Sequence, residues 1–252
     1  MNKIGVELSL EDKNLRMQVD DANQSLYKIL MSPFSLLSKL RDLNNEEKAL
    51  VVIFILYFVG VLGFVFLKEW NFMLLTPFNL LISLFVALRF HSRPSMSFYI
   101  ICFSVALIGF FIEVAGVNTG LIFGAYQYGP VLGFSLFSTP LSIGVNWLLL
   151  IYSSSVLVNY VILEKTSRTL KVFIASSLMV SLDLLIEPVA ITTNMWRWEH
   201  VDVPLQNYLG WFVSAFVLQW IMSYHTQKEL NRVAAFIFLI QCAFFAVLNF
   251  LR

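Results

Sequence analysis

Apolar residues fall in long blocks along this chain, separated by short polar stretches. Seven blocks, at about 49–67, 72–90, 97–116, 137–161, 171–190, 207–224 and 233–251, approach the roughly 20 residues that a helix needs to cross a bilayer. Backbone polar groups in lipid must be satisfied within their own segment, so the pattern predicts helices. The expected fold class is all-α, a polytopic membrane helical bundle of about seven transmembrane helices over residues 49–252. Residues 1–48 form a cytoplasmic N-terminal extension in this reading. Within it, apolar positions recur near helical spacing from Leu26 to Leu43, with Lys28, Lys39 and Arg41 among them. That spacing fits either a helix lying on the membrane surface, interrupted near Pro33, or a partly disordered tail.

Composition agrees with this picture. The chain has 252 residues, 58% of them hydrophobic and 13% charged, with a mean hydropathy of +0.76. Soluble globular domains are less apolar. A net charge of +1 and the lack of a basic motif argue against a nucleic-acid partner. Cys102 and Cys242 lie in separate apolar blocks without CxxC or metal-type spacing, so no disulfide is expected. The first 24 residues are polar and charged, so no cleavable leader is expected either.

The basic residues predict an orientation. Loops on one side carry ten Lys/Arg, from Lys39 to Arg232, and loops on the other carry three, Lys68, Arg197 and Arg252. The bias puts the N-terminus in the cytoplasm and the C-terminus outside, in the cell (inner) membrane.

Three acids break the apolar pattern. Asp183 and Glu187 lie four residues apart inside block 171–190, hence on one helical face, and Glu113 lies near the end of block 97–116. Charge at such depth is expensive and marks a functional site. With the predicted orientation all three fall in the outer halves of their spans, together with Asn146 and Trp147. A carboxyl pair in an apolar wall disfavours double ionisation, which suits a general acid beside a general base. The competing readings are interhelical hydrogen bonding, a pair with Arg197, or a divalent cation held through oxygens. No H-x-x-H or H-E-x-x-H spacing supports zinc. His200 is a weak candidate base; His91 and His225 lie near the opposite helix ends.

Two outer loops flank the acids. Residues 117–136 hold Gly120, Gly124, Gly129, Gly133 and Pro130 around Tyr126 and Tyr128, too irregular for a plain helix. The loop fits a lid or re-entrant turn over the bundle, or an interfacial loop with its tyrosines in the aromatic belt. Residues 191–206 hold Trp196 and Trp198, and Trp211 follows. These are belt residues or the wall of a cavity that tolerates cations.

The spacing E-x-x-G-x-x-T-G-x-x-F-G-x-Y-x-Y from Glu113 to Tyr128 resembles the membrane carotenoid biosynthesis proteins, which include carotenoid 1,2-hydratases. The likeness continues through Pro140, Asn146-Trp147, Asp183, Glu187-Pro188, Trp196-x-Trp198 and the stretch Val203 to Trp211, covering roughly residues 97–220. It implies an enzyme that adds water to the terminal C1–C2 double bond of an acyclic (psi) carotenoid end, without a cofactor. C-2 is protonated, and water takes the tertiary cation at C-1. Asp183, Glu187 and Glu113 are the implied catalytic acids. Asn118, Tyr126, Tyr128, Asn146, Trp147, Trp196, Trp198, Asn207 and Trp211 are the implied substrate-binding residues. The implied partners are an apolar polyene taken from the lipid phase, membrane lipids and other carotenoid-pathway enzymes.

A membrane carotenoid cyclase is the nearest alternative, since a protonated psi end can close a ring instead; a dry pocket favours closure and a wet one hydration. A proton-coupled transporter or a carotenoid-binding protein is the alternative from another class. A retinal pump is excluded by the lack of lysine in block 233–251. The orientation is testable with reporters. A fusion after Arg252 should report from outside the cytoplasm and one near residue 167 from inside it; a cytoplasmic C-terminus would overturn the seven-span arrangement.

Overall fold

A computed structural model describes residues 41–67, 70–200 and 202–251, so the Leu26–Leu43 segment, read as either a surface helix or a partly disordered tail, lies almost wholly outside the described residues. The chain divides into a unit of residues 1–48 and a unit of residues 49–252. Seven helices of one long turn or more make up the described architecture, with four very short strands and two brief helical turns between them. The helices are α1 (Asn45–Phe66), α3 (Thr76–Arg89), α4 (Met96–Thr119), α5 (Ser142–Val161), α6 (Arg168–Thr192), α7 (Leu205–Thr226) and α8 (Arg232–Leu251). α2 is the single turn Trp70–Met73, and a 3₁₀ turn covers Pro130–Leu132.

Local chemistry sets the helix ends. Asn44 and Glu47 exchange backbone-to-side-chain hydrogen bonds of 2.9 Å each, a capping box that opens α1. Ser95 caps α4 and Ser167 caps α6 by accepting from the amides of Phe98 and Leu170. α4 stops at Gly120, whose left-handed φ of 68° suits glycine. Pro77 stands in the first turn of α3, where a missing N–H costs nothing.

Among the described residues five helices, α1, α4, α5, α6 and α8, are long and apolar enough to cross a membrane. α3 is shorter than block 72–90 suggested, at 14 residues. α7 has the length but is diluted by Asn207, Ser214, Gln219, Ser223 and Thr226, all on its buried face. The block at 137–161 also begins later than its hydropathy suggests. Ser135–Leu136 (β2) and Thr139–Pro140 (β3) pair as a hairpin, and helix starts only at Ser142.

α5 runs through the centre, against α3, α4, α6, α7 and α8. It is buried almost all round, as an interior helix must be. Large apolar side chains such as Phe54, Phe85, Phe103 and Phe111 point outward, a surface suited to lipid rather than water. The bundle is thus a multi-pass membrane fold.

A polar clasp closes the end at which α3 finishes and α4 begins. Glu229 accepts from the backbone N–H and the hydroxyl of Ser92, at 2.9 and 2.6 Å. Asn231 donates to the carbonyl of Ala87 and to the hydroxyl of Tyr152, which also contacts His91. His91 therefore serves helix packing, away from the acids.

The α4–α5 crossing positions the site at the opposite end. A Cβ at Gly144 would lie 2.8 Å from the Ala106 carbonyl oxygen and 3.2 Å from the Phe110 Cβ. A backbone oxygen cannot swing aside, so only glycine permits this approach. Gly144→Val should force α5 away from α4 and lower unfolding stability by about 1–3 kcal/mol, the usual cost of overpacking. Thermal or denaturant unfolding in detergent measures it, and an unchanged midpoint would show that the crossing is not close.

Candidate functional site

Glu113, Asp183 and Glu187 are 2%, 1% and 3% exposed, and all three stand at one end of the bundle. Glu113 is on the last turns of α4. Asp183 and Glu187 are one turn apart on α6, and Pro188 follows directly without ending the helix. Neither ion pair among the described residues involves them. The expected alternative of a pair with Arg197 is not formed; Arg197 is exposed.

Neutral donors surround each acid instead. Glu113 accepts from the hydroxyls of Tyr126 and Tyr128 at Oε2 and from the Trp147 indole at Oε1, the latter two at 2.9 and 3.0 Å. Glu187 Oε2 accepts from the indoles of Trp196 and Trp198, at 3.0 and 2.9 Å. The Asn207 amide bridges the pair, donating to Asp183 Oδ2 at 2.8 Å and to Glu187 Oε1 at 3.2 Å. Asp183 Oδ1 is buried and has no partner. Acceptor-only oxygens met by N–H and O–H groups are what carboxylates require when water is excluded.

A small ribbon supplies most of these donors. Tyr126–Tyr128 (β1) pairs antiparallel with Trp196–Trp198 (β4), matching Tyr126 with Trp198 and Tyr128 with Trp196. Side chains alternate across a strand, so both tyrosines and both tryptophans share one face. The intervening Gln127 and Arg197 are exposed on the other. The tyrosine strand serves Glu113 and the tryptophan strand serves Glu187. Burial, followed by the charge of Glu113, holds both phenols well above their ordinary value, so they remain donors. Gln206 ties the ribbon's base down by donating to the carbonyls of Gly120 and Leu121.

The ribbon roofs a chamber of about 80 Å³. Glu113, Glu187, Asn146, Asn207, Tyr126, Tyr128 and the four tryptophans 147, 196, 198 and 211 line it. Trp147 and Trp211 are stacked with centroids 4.6 Å apart. A water needs only about 10–15 Å³ of such space, so a few waters or a small chain end fit. Among the described residues Asn146 has no hydrogen-bond partner, which leaves its amide open to the chamber.

Two expected residues are placed otherwise. Asn118 is not brought to the chamber. Its amide donates to Val114 O and Phe137 O and so steadies the β2–β3 turn, where Phe137 and Ser138 have φ of 52° and 64°. Asp183 stands behind Asn207 and Glu187 rather than in the wall. Among the described residues no three His, Cys, Asp or Glu side chains come together as a metal-binding group. His200 is exposed.

Gln241, on α8, is a wall residue that sequence reasoning passed over. Its Oε1 is buried without a partner. A mid-block amide in the last apolar block, which also holds Asn249 near its end, is the signal that could have found it, under the same rule that picked out the acids.

The fold and site thus define a multi-pass helical membrane protein with a buried chamber at one end, lined by carboxyl, amide and aromatic side chains. Residues 68–251 match the carotenoid biosynthesis protein family, and the chain belongs to that family. It is also similar to bisanhydrobacterioruberin hydratase of Haloarcula japonica, with 29% identity over 119 residues, 45% of this chain and 41% of that protein. The chain therefore aligns with less than half the length of that relative. No solved structure matches it.

Proposed function

We propose that the protein adds water across the terminal C1–C2 double bond of an acyclic carotenoid end, as the name of its Haloarcula japonica relative suggests. One observation carries this reading: two independent carboxylates and three amides, Asn146, Asn207 and Gln241, face one small chamber with aromatic walls. A site for ring closure would gain by excluding water; polar groups on several sides favour its presence.

Glu187 protonates C-2 and is reprotonated by water in the chamber; Asp183, tied to it by the shared Asn207 amide, favours one proton shared between the two carboxyls. The unpartnered Oδ1 of Asp183 offers a place for the proton to rest. The π electrons of the double bond take the proton, leaving a tertiary cation at C-1. Indole faces of Trp147, Trp211 and Trp198 favour such a cation over neutral solvent-free surroundings. Glu113 and Asn146 hold water against C-1, and Glu113 takes the proton that water loses on bonding. One water is consumed, one tertiary alcohol forms and the two protons balance. The chemistry changes no oxidation state and requires no redox cofactor. The N-terminus faces the cytoplasm in this proposal, and the chamber opens in the outer leaflet.

Asp183→Asn, Glu187→Gln and Glu113→Gln preserve shape and remove the titrating groups. Each should cut hydration of a linear carotene by about 10²–10⁴-fold while the protein still inserts. Near-normal turnover in the Asp183 and Glu187 variants would make the pair structural.

Isotopes test the reaction itself, after expression in a lycopene-producing host. The pigment should gain the mass of one water. Heavy-oxygen water should label the new hydroxyl, and deuterium oxide should leave one non-exchangeable deuteron on C-2. Oxygen label from O₂ would mean a hydroxylase. An isomer without mass gain would mean a cyclase.

A further inference from the structure

A second cavity, of about 290 Å³, lies between α1, α3 and α8. It is walled by apolar groups such as Leu56, Ile82, Phe244 and Leu248. α1 touches its neighbours at only a few points, among them the Tyr57–Phe244 ring contact, and this spacing leaves the gap open. Interiors normally pack with few voids larger than a water, and an apolar space of this size can admit an apolar occupant.

Two features say what that occupant is. The outer rim carries Val59, Phe78 and Ile82, which are 46%, 62% and 41% exposed on the bundle's apolar outer surface. The entrance therefore faces lipid. The inner end meets the acid chamber, because Thr76, Leu80, Met195, Gln241 and Phe245 line both spaces. A chain entering from lipid is thus led end-first towards Glu187 and Glu113. A saturated acyl tail would deliver a methyl group with no electrons to protonate. A linear polyene would deliver its terminal double bond.

We propose that the cleft between α1, α3 and α8 is the binding groove for the conjugated chain of a linear carotenoid, and that it selects long polyenes by holding the stretch next to the reacting end. This rests on the hydratase reading of the chamber. From Gln241 to Leu248 the groove follows about 10 Å of α8. The remainder of the polyene stays in the bilayer. Gln241 stands at the junction, where its unpartnered carbonyl oxygen marks the change from apolar groove to polar chamber.

The test fills the groove in the full chain, purified in detergent. Ile82→Trp narrows the rim from α3, and Val59→Trp, on the rim from α1, gives the same readout if Ile82→Trp fails to fold. Phe103→Trp, on the lipid face of α4, is the control. Binding of linear carotene is read from circular dichroism induced in its visible band. Turnover is compared for that carotene and for a short acyclic terpene hydrocarbon with the same isopropylidene end. Filling should abolish the induced signal and lower kcat/KM for the long substrate by about tenfold or more. The short substrate should lose far less, and Phe103→Trp should lose nothing.

Full long-substrate turnover and an intact signal in both filled variants would overturn the groove and leave the hydratase reading standing. Loss of copurifying phospholipid with an unchanged carotene signal would also overturn it, making the cleft a lipid site. A wild-type protein that hydrates neither substrate, yet loses its carotene signal on filling, would uphold the groove and remove the hydratase reading.

Discussion

Three carboxylates buried in apolar helices, none in an ion pair among the described residues, are the constraint from which the rest of this structure follows. An unpaired buried charge or polar oxygen is costly unless hydrogen bonds satisfy it. The helices alone cannot do so, because their backbone donors are already spent on helical bonds. Trp147 and Asn207 supply side-chain donors from α5 and α7; the remaining four come from outside the helices, on β1 and β4. The two connecting segments are therefore folded back over the end of the bundle and paired as a ribbon. The glycines serve this packing. A Cβ at Gly210 would come within 2.4 Å of the Ile122 carbonyl oxygen, where the start of α7 meets the first loop.

The identity of the donors bears on chemistry. An arginine or lysine partner would hold a carboxylate as an ion pair, and moving a proton on or off would break that pair. Phenol, indole and amide partners impose no such lock. They also bring aromatic faces to the space in which the proposed cation forms. One shell of side chains thus meets the structural cost of burying the acids and suits them to proton transfer. Asp183 is the exception that defines a direction. Its second oxygen lacks a donor and it lies behind Asn207 and Glu187, outside the chamber wall, the position from which the proposed reaction shares its proton.

The helical architecture serves access as well. α5 is enclosed on all sides and carries Trp147 against Glu113, so the chamber has a rigid floor. α1 stands loosely beside α3 and α8 and leaves between them the apolar cleft to which the proposal assigns the polyene. Five helices meet the length and hydropathy of membrane spans, and the two that do not are instructive. α3 is shortened by the turns that precede Pro77, and α7 gives up hydropathy to present Asn207 and Gln219 inward.

Much of this was legible in the chain. Hydropathy and period are local properties, so the helices stand close to the apolar blocks, and Asp183 and Glu187 share a face because four residues make about one turn. The spacing of the family motif located the loops and most of the chamber wall. Other features were not legible, for reasons that are also physical. Tyr126, Tyr128, Trp196 and Trp198 look the same in sequence whether they sit in an interfacial belt or donate to acids; the register pairing Tyr126 with Trp198 decides it, and that contact joins distant segments. Asn118 has the right depth but its amide turns to the Phe137 carbonyl, a direction that no spacing rule reveals. Gln241 acquires meaning only because α8 carries it to the junction of two cavities. The sequence by itself determined the membrane helices and the anomalous acids, because both depend on neighbours a few residues away. Only the tertiary structure decided which donor meets which acid and where a chain could enter, because those depend on how separate helices and loops pack.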